Sequence, residues 1–293
     1  MGIGMYLRKR VCTISHEDQR RLSVVIQGPI VVGDYEITKT LIKKIRNILP
    51  YCEIILSTWE GEISENIDCL VLKNQDPGDV VSSDRFLKNS KRLHISTLNG
   101  LRAATGEYCL KLRSDHTVES ANLTRIFDLM RSSKMTLLMH SAPWHLFLID
   151  DKMQFGRLVD LIELWDFNFD NQYAELYAKF NSSKTLNTHA KIRGGGPYFD
   201  QILTLNSDVK NKIDKLNLLE LCHCHAVFLK SKFEYVSASF IGIGSVKHDY
   251  SVRGKTYLYI VFMNYLNVKL LTLLFFTICM IRKTISHIFR RKL

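Results

Sequence analysis

Short apolar runs alternate with helix-period segments through the first half of this 293-residue chain, and no other feature restricts its fold as much. Leu22 to Ile26 is apolar and ends at Gln27-Gly28-Pro29, so it predicts a buried strand and a turn. Thr38 to Leu49 carries apolar residues at 41, 42, 45, 48 and 49, a helical period that stops at Pro50. Cys52 to Thr58 and Asp68 to Leu72 predict two further strands, and Phe86 to Thr105 a long helix. Tyr108 to Leu112 predicts the fourth strand, 120–132 a helix and 135–140 another strand. Strands and helices at this spacing imply an α/β fold with a doubly wound, mainly parallel sheet and right-handed crossovers.

The fourth strand runs directly into Arg113-Ser114-Asp115-His116. Open parallel sheets bind ligands outside the carboxyl ends of their strands. A carboxylate there, beside a nucleotide's phosphates, can hold a divalent cation. Asp115 is therefore the candidate metal ligand. His116 is a second candidate or a substrate contact, although a surface histidine reads as well.

Beyond residue 140 the pattern weakens. Gly156 to Phe169 predicts an amphipathic helix and 173–180 another; 193–197 reads as a loop. Lys212 to Leu221 predicts helix and Cys222 to Leu229 strand. In a strand Cys222 and Cys224 would share one face and His223 and His225 the other, so the Cys-His-Cys-His run does not read as a zinc site. The glycines at 194–196 lack the Walker lysine and any Gly-x-Gly-x-x-Gly spacing.

The net charge of +11 sits at the ends. Residues 1–21 carry +3, residues 251–293 carry eight basic residues and no acid, and 22–250 is neutral. A nucleic-acid binder would carry its basic face on the folded domain, so no nucleic-acid partner is expected. An anionic membrane surface fits better. Three regions follow: a basic lead-in at 1–21, a catalytic domain at 22–250 and a basic, hydrophobic tail at 251–293. The charge-free apolar stretch 270–281 would be about 18 Å long as a helix, and a bilayer span needs about 20 residues. An interfacial, monotopic anchor is expected rather than a span, with a core or dimer helix as the other reading. Seven scattered cysteines and the lack of a secretory signal point to reduced thiols and the cytoplasmic face of the inner membrane.

Five pieces of the chain resemble the WavE lipopolysaccharide-synthesis family: VVIQGPI at 24–30, EIILSTW at 53–59, QDPG at 75–78, LKLRSD at 110–115 and DKMQFGRLVDLIELWD at 151–166. The segment 100–116 also looks like the signature of GT-A inverting glycosyltransferases. Their strand-end motif is usually Asp-x-Asp; here Arg113 replaces the first Asp and Asp115 matches the second. Two readings stay open: Asp115 holds Mg2+ or Mn2+, or Arg113 neutralises the diphosphate without a metal. The resemblance implies a glycosyltransferase. Its donor would be a nucleoside-diphosphate-sugar and its acceptor a lipid-linked or polysaccharide glycan. Gln27, Gly28, Pro29, Thr58, Trp59, Asp76, Arg92 and Arg113 would bind the donor. Trp59 reads equally as core, and Asp76 as part of an Asp-Pro-Gly turn. The base that deprotonates the acceptor would be Asp151 or Asp160, with Asp150 beside them. A nucleotidyltransferase on a similar fold and a non-catalytic scaffold are the alternatives; Arg113 favours the scaffold.

Overall fold

The computed structural model describes residues 14–32, 36–78, 89–118, 121–138, 146–147, 149–182, 215–246, 260 and 262–290. The expected loop at 193–197 and the first three residues of the helix expected over 212–221 lie outside these residues; 215–217 are not helical and 218–221 are.

After a short helix α1 (His16–Arg20), strand β1 (Leu22–Gln27) is buried along its whole length. Helix α2 (Ile37–Ile48) follows, then β2 (Glu53–Trp59), β3 (Leu70–Asn74), α3 (Ser90–Ala103) and β4 (Tyr108–Arg113). Strand β5 (His116–Val118) leads through a 3-10 turn, Ala121–Arg125, to α4 (Ile126–Leu129) and β6 (Met135–Leu138). Strand β7 (Gln154–Arg157), α5 (Leu158–Trp165), α6 (Phe169–Ser182), α7 (Leu218–Lys232), β8 (Phe233–Val236), α8 (Ala238–Ile241), β9 (Ile243–Ser245) and α9 (Val268–Arg290) complete the described elements.

Seven strands form one sheet in the order β3-β2-β1-β4-β7-β6-β8, and β5 pairs with β9 in a separate ribbon. The first four strands are parallel; β7 is antiparallel to β4 and to β6, and β8 is parallel to β6. The architecture is the mainly parallel α/β class expected above, with one reversed strand. Along β1, β2 and β4 side chains alternate between the two faces, as a pleat requires. Val24, Ile26, Ile54, Leu56, Leu110 and Leu112 pack under α2 and α8. Val25, Ile55 and Cys109 pack under α3, α5, α7 and α9. Both faces are covered, so these strands read as mostly apolar runs, interrupted in β4 by Lys111. Helix α3 comes very close to the sheet: a Cβ at Gly100 would lie 2.6 Å from Val25 Cγ1.

Two expectations are corrected. Gly156 does not begin a helix; it lies in β7, and the helix starts at Leu158. The helical period of Leu158, Leu161, Ile162 and Trp165 hid a strand too short to show a period of its own. Asn89 is the N-cap residue of α3, which runs from Ser90, and 86–88 of the expected helix lie outside the described residues. The Cys222–Leu229 strand is part of α7, which opens with a capping box between Asn217 and Glu220. That cap overrides the β-prone Cys-His run. The tail forms α9, whose Leu271, Phe275 and Cys279 are buried in the same core as α7. No described helix is long and apolar enough to cross a membrane.

Candidate functional site

Strand β1 crosses over to β2 on one side and is hydrogen-bonded to β4 on the other, so the strand order reverses between β1 and β4. That reversal opens a crevice at the carboxyl edge of an open α/β sheet. Gln27 and Arg113 are register partners at its two lips. Beyond them the chains stay joined, with the Ser114 amide donating to the Gln27 carbonyl at 3.0 Å and the Gly28 amide to the Ser57 carbonyl at 3.1 Å. Gly28 has a φ of +118°, and a Cβ there would stand 2.9 Å from Ser114 Oγ. Only glycine fits that turn without strain. Thr38 of α2 braces it from the other face, donating to the Ser114 carbonyl at 3.1 Å.

The strand-end motif folds back on itself. Arg113 Nε and Nη2 donate to the two oxygens of Asp115 at 3.0 and 2.9 Å. The Asp115 side chain is 3% exposed and that of Arg113 27%. The Asp115 carbonyl accepts from the Val246 amide at 3.2 Å and from Ser245 Oγ at 3.4 Å, so β9 clamps the motif from far along the chain. His116 is buried, and its Nδ1 accepts from the Arg113 amide at 3.1 Å. Burial, opposed by Asp115 and reinforced by Arg113 and Lys111, pushes the His116 pKa down to about 3. His116 is a neutral group inside the motif rather than the surface histidine considered above.

A lysine beneath the motif gave no signal in the sequence. Lys111 points to the opposite face from Leu110 and Leu112 and is fully buried. Its ammonium lies 5.2 Å from the Trp165 ring centre and donates to the Asp151 carbonyl. Asp151 is buried just before β7, at the same sheet edge as Arg113. Burial pushes its carboxyl up, but the charges of Lys111, then Lys152 and Arg113, outweigh that and hold it below the usual range. Lys111, Arg113, Asp115, His116 and Asp151 therefore form one electrostatic group. Asp150 is engaged next door, accepting from the Lys152 amide at 2.9 Å. Asp160 is not brought there. Arg157 pairs with Tyr108, the first residue of β4, so the first turn of α5 that holds Asp160 lies at the opposite end of the sheet.

The other donor candidates split into two groups. Gln27 Oε1 accepts from Ser96 Oγ of α3 at 3.0 Å. Pro29 is exposed at the rim. Thr58 Oγ1 donates to Glu62 at 2.5 Å, and the same Glu62 oxygen accepts from the Ile30 amide at 2.5 Å. Glu62, which the sequence did not single out, thus ties the loop after β2 to the loop after β1. Trp59 is buried and packs rather than offering an open ring. Asp76 sits beyond β3 and receives Arg92 Nε and Nη2 at 2.7 and 2.9 Å. The Arg92 hydrogen bond holds the Asp76 carboxyl below its usual range. Asn99 and Asn74 link α3 to β3 beside them.

Among the described residues no ready-made site for Mg2+ or Mn2+ is formed around Asp115. Both Asp115 oxygens accept from Arg113, one donor each, which leaves each oxygen a further lone pair. Among the described residues no group of three or more His, Cys, Asp or Glu is placed to hold a metal ion.

A family model described as WavE lipopolysaccharide synthesis matches residues 22–241, well over half of the chain. No curated protein matches the chain. Among solved structures, one similar chain is a glycosyltransferase involved in the glycosylation of the major capsid of PBCV-1. It is 14% identical over 74% of this chain and 82% of that one, with a TM-score of 0.37. A mannosyltransferase from Pyrobaculum calidifontis, in complex with GDP-Man and Mn2+, is 11% identical over 90% and 87%, with a TM-score of 0.32. A nucleotidyl transferase from Methanothermobacter thermautotroptrophicus is 19% identical over 50% and 76%, with a TM-score of 0.37. None of these likenesses is close enough to carry a residue's role across.

Proposed function

The chain belongs to the WavE lipopolysaccharide synthesis family, and from that premise we propose that it is an inverting glycosyltransferase. It would move a sugar from a nucleoside-diphosphate-sugar to a lipid-linked or polysaccharide acceptor in surface-glycan synthesis. The observation that carries this reading is the reversal of strand order between β1 and β4, which places Gln27 and Gly28 at one strand end beside the Arg113–Asp115 pair at the other.

In this reading the nucleoside lies over Gln27 to Pro29, and the diphosphate meets Arg113. A guanidinium already held in plane by a buried carboxylate offers directed donors to phosphate at little further ordering cost. Asp115 is then a positioning residue for Arg113. The Asp76–Arg92 pair borders the crevice on the β3 side and would contact the ribose or base. Asp151 is the choice for the base over Asp160, because it lies at the same edge as the motif. Its lowered pKa keeps it ionised at neutral pH and makes it a weak base. It would take the acceptor's proton late, once the bond to the anomeric carbon has largely formed.

The test is isothermal titration of the full chain with UDP, GDP and CMP, each with Mn2+ and with a chelator. One nucleotide should bind equally well in both conditions, and Arg113→Ala should weaken it by about tenfold or more. Failure of all three to bind would overturn the donor site. Binding that needs Mn2+ would overturn the role given to Arg113.

A further inference from the structure

Helix α9 carries two apolar stripes, and one of them has a partner within the fold. Leu271, Phe275 and Cys279 face α7, where the Phe275 ring centre lies 4.6 Å from that of His225 and the free thiols of Cys222 and Cys279 are hydrogen-bonded. At 3.6 residues per turn Leu270, Leu273, Thr277 and Ile281 fall on the opposite side, within about a third of the circumference. Leu270, Leu273 and Ile281 are 49%, 50% and 53% exposed. The outer face of a helix docked on a soluble domain is ordinarily polar. Here Lys269 is the charged residue beside the stripe, and it is exposed.

We propose that this outer face of α9 docks on an anionic phospholipid surface, with the helix lying in the interface. Charge selects the occupant. Residues 251–293 hold eight basic residues and no acid, and Arg282, Lys283 and Arg290 belong to the last turns of α9. A second copy of the chain would press two such +8 segments together, whereas an anionic bilayer attracts them. Length agrees as well: 23 residues reach about 35 Å along a surface, and no described helix qualifies as a span. Because the inner stripe is packed into the core, the helix fixes the body of the protein against the surface rather than tethering it loosely.

The experiment is flotation of the full chain with phosphatidylcholine vesicles, with and without phosphatidylglycerol, at low and high salt. Binding should require phosphatidylglycerol and weaken with salt. The double variant Leu270→Ser, Leu273→Glu should bind about tenfold or more weakly at an unchanged melting temperature. Lys269→Glu should weaken binding with no change in the fold. Absence of vesicle binding, equal binding by the double variant, or a dimer in light scattering that the double variant dissolves would each overturn the proposal. Nucleotide titration in solution is a separate readout, so failure here is distinguishable from failure of the donor site.

Discussion

Replacing Lys111 by Met probes the link between the sheet and the site. Methionine keeps most of the stem's volume and its packing on Trp165, and removes the charge. Lys111 is fully buried and Asp151 is 5% exposed, so the carboxylate loses its strongest compensation where water cannot replace it. The Asp151 carbonyl loses a donor in the same step. Leaving a buried charge without its compensating partner costs on the order of 3–5 kcal/mol, the scale for breaking buried ion pairs. At about 2–4 °C per kcal/mol this lowers the melting temperature by roughly 6–20 °C. The pH dependence carries the sign of the argument. In the parent, Asp151 titrates below its unfolded value, so its contribution is present at neutral pH and is lost as pH falls through the folded value. In the variant, burial acts with only Lys152 and Arg113 opposing it, so the carboxyl moves up. The deficit should then be greatest at neutral pH and shrink towards pH 4 as Asp151 takes a proton. Adding Asp151→Asn to the variant should restore part of the loss. Calorimetry at several pH values measures all of this. A loss below about 1 kcal/mol, or a deficit that does not change with pH, would refute the reasoning.

Gly28→Ala places a Cβ against Ser114 at a positive φ, so urea denaturation should show a loss of about 1–3 kcal/mol, and nucleotide affinity should fall with it. An unchanged denaturation midpoint would mean the turn relaxes freely. Phe275→Ala empties a fully packed site between α7 and α9 and should cost about 3–5 kcal/mol. Removing 256–293 altogether should give an unstable or aggregating protein rather than a soluble, active domain. A folded, monomeric truncation would show that α9 is dispensable to the core.

The alternation of strands and helices from Leu22 to Leu138 was legible because period is a local property, and both sheet faces demanded apolar residues. The strand-end position of Arg113 to His116 followed from the same local pattern. Reading failed where a local signal competed with a long-range one. The Cys-His run at 222–225 looked extended, but the Asn217–Glu220 cap and the packing of α9 made it helical. Strand β7 exists because Phe155 and Gln154 pair with β4 and β6, a contact invisible within four residues. Asp151 and Asp160 looked alike in sequence; the reversal of β7 sends them to opposite ends of the sheet.

By itself the sequence determined the α/β class, the sheet edge that carries chemistry, and the uneven charge of the ends. These depend on residue type and spacing, which a chain carries before it folds. Tertiary structure decided which groups meet. It laid Arg113 across Asp115. It buried His116 as a neutral ring and set Lys111 under Asp151. It gave the tail helix a partner on one side and left apolar surface on the other. Each of those outcomes is a contact between segments tens of residues apart, or a local bond made fast by such contacts, and no periodicity encodes it.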